Sequence, residues 1–392
     1  MHVAYVDPRP VPGLRAEAMQ LLQTVDGLAQ AGAQVTLIAP LPRDGTTVED
    51  ILGRPLHANV TWLSLFDPRK RWWFPLNTSL PFFRRAVGLL RNLRPDAAMV
   101  RHLGVADHIL SALPDTRLFF ELHEVFADSF QADHPAADAR AQRKLERLSA
   151  REARVYGRAS GLITLTDELA AQVNARYPTG TPCHTISNAV DNVLADLHRR
   201  PLDTSTDRTR QILYLGGLHP WKGVELAVEM MQWVEGAHLN VVGGGGGENR
   251  TEALQADIDR LGIADRVTLH GPVMPPAERF RIIADNDICV LPLMPNTVGT
   301  SPLKLFEYLT MGKPTVCTDL PSLRQLVSDG EHIVLAPPGD ARAFARAVTH
   351  ILNTPASARE LGEQGQRLAR EHGWDRRGER LLTAFAAVPA RS

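Results

Sequence analysis

The chain has 392 residues, with 43 Lys and Arg against 44 Asp and Glu and a formal net charge of −1. That balance gives no global field to draw it to nucleic acid or to a membrane. The length exceeds the roughly 250–300 residues at which one core stops growing, so two domains are expected. Three cysteines, Cys183, Cys289 and Cys317, have no metal-ligand spacing, so neither a disulfide scaffold nor a zinc site is expected. The N-terminus reads as a strand rather than a signal peptide, and no apolar run of spanning length occurs. A cytoplasmic protein is the expectation.

The chain opens on a short apolar strand over 2–6. A loop through Gly13 and Arg15 leads to an amphipathic helix from about Ala16 to Ala31, and Val35–Ala39 is the next strand. This βαβ opening has only one loop glycine, Gly13, too few for a dinucleotide fingerprint. The loop instead lets an acceptor approach the backbone. Residues 69–94 carry Arg69, Lys70, Arg71, Arg84, Arg85, Arg91 and Arg94 with no acid among them, interleaved with Trp72, Trp73, Phe74, Phe82 and Phe83. Two readings stand: a patch for an anionic membrane surface, or a core-packed helix with solvated arginines.

A buried strand at 97–100 ends at Arg101-His102, and a strand at 117–124 ends in the polar residues Glu121-Leu122-His123-Glu124. The carboxyl ends of parallel strands face the ligand crevice, so Arg101, Glu121 and His123 are site candidates. A helix from about 136 to 156, a strand at 161–165 and a helix at 167–176 follow. The polar stretch from about Leu194 to Arg210 reads as the interdomain linker.

The second half restarts the pattern. Strand 211–215 runs into Gly216-Gly217-Leu218-His219-Pro220-Trp221-Lys222-Gly223, and strand 239–242 runs into the glycines 243–247. Glycine after a strand lets a ligand come against the backbone, which makes Gly216, Gly217, Gly243, Gly244 and Gly245 candidates. Strand 267–269, helix 276–284 and strand 288–292 lead to Asn296–Pro314. There Ser301 suits an N-cap, Pro302 the first helical position and Gly312 the position past the end. A helix starting at a strand's carboxyl end offers free amides and a positive dipole end to an anion. Thr300, Ser301, Pro302, Leu303 and Lys304 therefore read as an anion site. Glu307, three residues beyond Lys304, is placed to accept from ribose hydroxyls; the plain alternative is a surface Lys–Glu pair. Helices at 341–352, 356–371 and about 374–386 close the chain.

In this order, Tyr214–Leu218 through Lys222-Gly223, the strand-then-glycine run at 239–247, Asp287–Pro292, Ser301–Tyr308, Gly312-Lys313-Pro314 and Pro337–Asp340 form a specific set. Glu121–Glu124 and Ser187–Asp191 add to it in the first half. The chain resembles a family 4 glycosyltransferase of the two-Rossmann-domain (GT-B) architecture over almost its whole length. The resemblance implies an α/β fold with two Rossmann-like domains facing across a cleft. It implies an acceptor domain over 1–195, a donor domain over 205–372, and a C-terminal helix over 373–392 that packs back on the first.

It further implies retaining transfer of a sugar from a nucleotide-diphosphate donor to an acceptor hydroxyl. Lys222 would neutralise the diphosphate, Glu307 bind the ribose, and the 301–304 helix start receive the diphosphate. His123 would sit by the transferred sugar, and the Gly13 loop would close over the site. No cofactor or metal is expected, since lysines and the helix dipole supply the positive charge. Acceptors in view are a glycan, a lipid-linked saccharide or a small metabolite. Three departures stand out. Gly217 occupies a position where the family commonly has arginine, with Lys304 or Arg101 as its replacement. Gly299 stands where a glutamate is common, and Pro302 removes one loop amide. Loss of that glutamate points to an amino, acetamido or deoxy sugar donor. The competing readings are a nucleotide-sugar 2-epimerase using Glu121 and Glu124, and a non-catalytic nucleotide-sugar binder.

Overall fold

The computed structural model describes the chain except residues 43, 67–77, 135–137, 204–207, 246, 248, 274, 296–302 and 389–392. The chain divides into two compact units, Met1–Asn188 with Trp374–Ser392, and Ala189–Gly373.

The first unit runs β1 (His2–Val6), α1 (Ala16–Gln30), β2 (Gln34–Ala39), α2 (Val48–Leu52), β3 (Val60–Ser64), α3 (Leu80–Leu93), β4 (Ala97–Val100), α4 (Leu103–Ala112), β5 (Leu118–Leu122), α5 (Phe126–Asp133), α6 (Ala139–Arg158), β6 (Gly161–Thr164), α7 (Asp167–Arg176) and β7 (Cys183–Thr185). Its seven strands lie in the order β3-β2-β1-β4-β5-β6-β7, all parallel. β4 is a continuous apolar run, as are β1 from Val3 and β5 up to Glu121, because helices cover both faces of the sheet. The order reverses between β1 and β4, the switch point at which such sheets open a crevice.

The second unit runs α8 (Asn192–Asp196), β8 (Arg210–Leu215), α9 (Val224–Met230), β9 (Ala237–Val242), α10 (Arg250–Leu261), β10 (Val267–His270), α11 (Pro276–Asp285), β11 (Ile288–Leu291), α12 (Leu303–Thr310), β12 (Thr315–Thr318), α13 (Pro321–Arg324), β13 (Val334–Ala336), α14 (Ala341–Asn353) and α15 (Pro355–Arg370). Its parallel sheet has the order β10-β9-β8-β11-β12-β13, with the switch point between β8 and β11.

The last helix, α16 (Trp374–Ala387), belongs to the first unit. It meets α1 backbone to backbone: a Cβ on Gly378 would stand 2.2 Å from the Gly27 carbonyl, and one on Gly27 2.2 Å from the Trp374 carbonyl. Only glycine permits that approach.

Two stretches differ from the sequence expectation. Residues 194–196, read as linker, belong to α8, whose Asp191 cap accepts from the Leu194 amide at 3.0 Å. The units divide at Asn188/Ala189 and Gly373/Trp374, where the reading drew edges at 195, 205 and 372. In the basic stretch 69–94, residues 69–77 lie outside the described residues. On α3 Phe82 is fully buried, and Phe83 packs against the rings of His102 and His108 at 5.8 and 5.9 Å. Arg84, Arg85, Arg91 and Arg94 are all exposed. The two described aromatics of that stretch are thus turned to protein. Among the described residues no helix is long and apolar enough to cross a membrane.

Candidate functional site

In the second unit the switch point brings three loops together. The Gly216 amide donates to the Val242 carbonyl at 3.0 Å, and the Leu218 amide to the Gly244 carbonyl at 3.2 Å. A Cβ on Gly243 would lie against the Gly216 carbonyl oxygen, far inside contact distance. The absent side chain at 243 therefore serves loop-on-loop packing within the protein itself. Gly244 lies against Pro272, and Gly245 has φ +76°. The 3-10 turn Pro220–Lys222 is clamped to the chain beyond β11: Met294 N donates to Trp221 O at 3.0 Å. Gly223 (φ +69°) leaves no room for a side chain beside the Pro292 carbonyl. Lys222 is thereby fixed at the carboxyl edge of the sheet.

Across that edge α12 begins at Leu303. Tyr308 anchors it, its hydroxyl accepting from the Leu215 amide at 2.9 Å. Residues 299–302, including the expected sites Thr300, Ser301 and Pro302, lie outside the described residues. Lys304 and Glu307 share one flank of the helix, with Lys304 Nζ 2.7 Å from Glu307 Oε2. Arg279 of α11 reaches the other oxygen, Nη2 to Oε1 at 3.2 Å. Burial opposes ionisation of Glu307, and the charges of Lys304 and Arg279 outweigh it, so its pKa lies below the usual range. Burial pushes Lys304 down to about 8; Glu307 resists this, while Arg279 and Lys222 add to it. Burial also lowers Lys222. Lys222, Lys304, Arg279 and Glu307 thus form one electrostatic cluster, and Lys304 keeps 24% of its side-chain surface exposed.

In the first unit, Glu121 lies near the end of β5, almost fully buried. Its Oε2 accepts from the Tyr5 hydroxyl at 2.9 Å. Its Oε1 accepts from Arg377 Nη2 at 2.6 Å and lies 3.2 Å from His123 Nε2. The His123 contact lacks hydrogen-bond alignment, leaving Nε2 buried without a hydrogen bond. Burial raises the Glu121 pKa, but Arg377, then His123 and Arg101, pull it well below the usual carboxylate value. Burial, joined by the charge of Arg101, holds His123 down to about 4. At neutral pH this is an ionised carboxylate beside a neutral imidazole. Arg101 is held by Gln20 at 3.0 Å.

The structure therefore gathers Arg101, Glu121 and His123 in the first unit and Lys222, Lys304 and Glu307 in the second. Gly13 sits on the β1–α1 loop, its α-carbon facing Ala18, and Arg15 precedes α1 without a side-chain cap. Neither touches the Glu121 cluster through any described hydrogen bond. The sequence reading missed Tyr5, Arg279 and Arg377. For the two arginines a signal exists: each interrupts the apolar stripe of an amphipathic helix. Arg279 lies with Pro276, Phe280 and Ile283, and Arg377 with Trp374, Leu381 and Phe385. A buried arginine implies a buried partner. Among the described residues no group of three His, Cys, Asp or Glu is placed to hold a metal ion.

Residues 18–193 match the family model Glycosyltransferase Family 4, and residues 209–354 match Glycosyl transferases group 1. A D-inositol 3-phosphate glycosyltransferase of Thermomonospora curvata is 33% identical over 206 residues, 50% of this chain and 46% of that protein. An alpha-D-kanosaminyltransferase of Streptomyces kanamyceticus is 28% identical over 45% of each chain. The chain thus matches about half the length of these curated relatives. In fold it is similar to sucrose-phosphate synthase of Thermosynechococcus elongatus, with TM-score 0.75, 18% identity and 98% of both chains covered. It is likewise similar to Anabaena HepE in complex with UDP, with TM-score 0.72, 16% identity, and 99% of this chain and 100% of that one covered. Two parallel sheets with reversed strand order, the paired glycine loops and the two family matches lead to one assignment: the chain belongs to the family 4 glycosyltransferases of GT-B architecture.

Proposed function

We propose that this protein is a retaining glycosyltransferase that moves a sugar from a nucleoside-diphosphate donor to an acceptor hydroxyl. The observation that carries the reading is the cluster of Lys222, Lys304, Arg279 and Glu307 at the carboxyl edge of the second sheet. A departing diphosphate gathers negative charge, and fixed cations and amides lower that barrier. Lys222 and Lys304 take the diphosphate, with the amides of the Leu303 helix start and of the Gly216, Gly217 and Gly243–Gly245 loops. Glu307 keeps a free lone pair on each oxygen and accepts from the ribose. These groups supply the charge themselves, so activity is expected to survive chelation of divalent metal.

On the acceptor side His123, neutral at working pH, exchanges hydrogen bonds with hydroxyls of the transferred sugar. Arg101 and the Gly13–Arg15 loop bound the acceptor. Glu121 is committed through both oxygens to Tyr5 and Arg377, which disfavours it as a nucleophile. The same commitment weighs against the epimerase reading, which needs Glu121 as acid or base. It supports transfer on one face of the sugar, the departing phosphate taking the acceptor proton. The absent carboxylate at Gly299 favours an amino, acetamido or deoxy sugar, and one relative is named for an amino sugar. A lipid-linked saccharide, a glycan precursor or a small cytoplasmic metabolite is the acceptor class.

The test is a panel of uridine, guanosine and adenosine diphosphate sugars, each incubated with and without acceptors, the product anomer being read by NMR. Transfer with the donor's anomeric configuration is expected. Isomerised donor without acceptor, or diphosphate binding without turnover on any acceptor, would count against it.

A further inference from the structure

The space above Gly217 is not empty. A Cβ there would lie 3.1 Å from Cδ2 of His219, and a Cβ on Gly245 would face Nε2 of the same ring at 3.8 Å. The imidazole thus lies against both glycine loops of the second unit. It is held there by stacking on Trp221, centroids 4.3 Å apart and planes 19° apart. The turn that carries Trp221 is the one clamped beyond β11, and the next residue is Lys222. The carbonyl of Leu218 on the same loop is tied to Arg250 Nε at 2.8 Å. Among the described residues neither ring nitrogen of His219 makes a hydrogen bond. A polar ring oriented by a stack, with unused nitrogens, at the mouth of two backbone-amide loops, is built for a ligand.

We propose that His219 is a donor-binding residue of this chain, its ring nitrogen contacting the diphosphate over Gly217. Gly217 and His219 act as a pair: glycine vacates the space an arginine side chain would occupy, and the imidazole fills it. The position of Gly217 is the one where the resembling family commonly carries that arginine, so the phosphate contact is moved two residues along the loop. Trp221 sets the ring plane. The inference rests on the nucleotide-diphosphate reading of the second unit.

Isothermal titration of the full chain with UDP, GDP and ADP, and with the corresponding monophosphates, tests it. H219A is expected to weaken the preferred diphosphate by about tenfold, the scale of one charge-assisted hydrogen bond. Monophosphate affinity is expected to change much less, so the diphosphate preference falls. H219F keeps the stack on Trp221 and removes both nitrogens; it is expected to behave like H219A. Adding G217R to H219A, where the removed ring makes room, is expected to restore most of the loss. Unchanged diphosphate affinity in H219F, with K222A still impaired, overturns the role of His219 alone. No diphosphate binding by the unsubstituted chain overturns both this inference and the reading beneath it.

Discussion

Arg377 Nη2 stands 2.6 Å from Glu121 Oε1, across 256 positions of sequence, and the two side chains are 2% and 4% exposed. The same guanidinium donates to the Ser187 carbonyl at 3.0 Å and to Thr24 Oγ1 at 3.2 Å. One side chain of the terminal helix therefore ties together α1, the end of β5 and the chain beyond β7. Removing one partner of such a pair leaves a buried charge uncompensated, at a cost of about 3–5 kcal/mol. R377M is expected to lose that much in urea unfolding of the first unit, and E121Q nearly as much. The double variant R377M/E121Q is expected to recover a substantial part. Additive losses would show that the two residues do not act as a pair.

This pair also marks where the sequence stopped being legible. Period-two and period-3.6 patterns placed β1, β6, β8 and α16 within a residue or two, because their apolar faces are committed to a core. β3 was not read, since its Val60–Ser64 run is only half-buried and shows weak alternation. α10 was not read because only Leu254 and Ile258 of it are buried. The glycine loops and the Lys304–Glu307 spacing are local and could be read directly. That Glu307 has a second cation in Arg279, or Glu121 one in Arg377, depends on tertiary approach across the fold. No local spacing encodes it.

His123 makes stability depend on acid. Its pKa falls from 6.5 to about 4 on folding, chiefly through burial and then through Arg101. The folded value is the depressed one, so its contribution is complete above about 6.5. As pH falls toward 4 the unfolded chain takes up a proton that the folded chain refuses. The loss over this window is on the order of 3 kcal/mol. Glu121, held well below the usual carboxylate value, keeps its contribution through this window and loses it only at lower pH. Unfolding free energies from pH 7 to 4.5 are expected to fall less steeply in H123Q than in the unsubstituted chain. Equal slopes would contradict a neutral, desolvated imidazole.

Gly243 is predicted to tolerate nothing larger. A methyl group there would overlap the Gly216 carbonyl, which is backbone and cannot rotate aside. Overpacking of this kind costs about 1–3 kcal/mol, and here it also parts the two loops. G243A is expected to lower both stability and diphosphate affinity. Gly88 on α3, where an added methyl group would have nothing within 4 Å, supplies the contrast. G88A is expected to leave stability unchanged or slightly raised, since alanine is the better helix former. Thermal melts of both variants, with and without UDP, check the pair.

Lys304 is predicted to set an alkaline limit on diphosphate binding. Its pKa lies at about 8 rather than 10.5, from burial first, with Arg279 and Lys222 adding to the shift against the pull of Glu307. Only the protonated amine attracts a phosphate, so affinity should fall as pH rises through about 8. A bound anion raises the lysine pKa, and protons are taken up on binding in that range. The sign for folding is separate: the depressed value costs stability below pH 8, and the cost is relieved between about 8 and 10.5. K304R keeps its charge throughout. Titrations of the preferred diphosphate at about pH 7, 8 and 9 are expected to show weakening for the unsubstituted chain. K304R is expected to give a much flatter profile, any residual slope belonging to Lys222, whose pKa burial also lowers. Identical profiles for the two proteins would remove Lys304 from the phosphate site while leaving the fold of the second unit untouched.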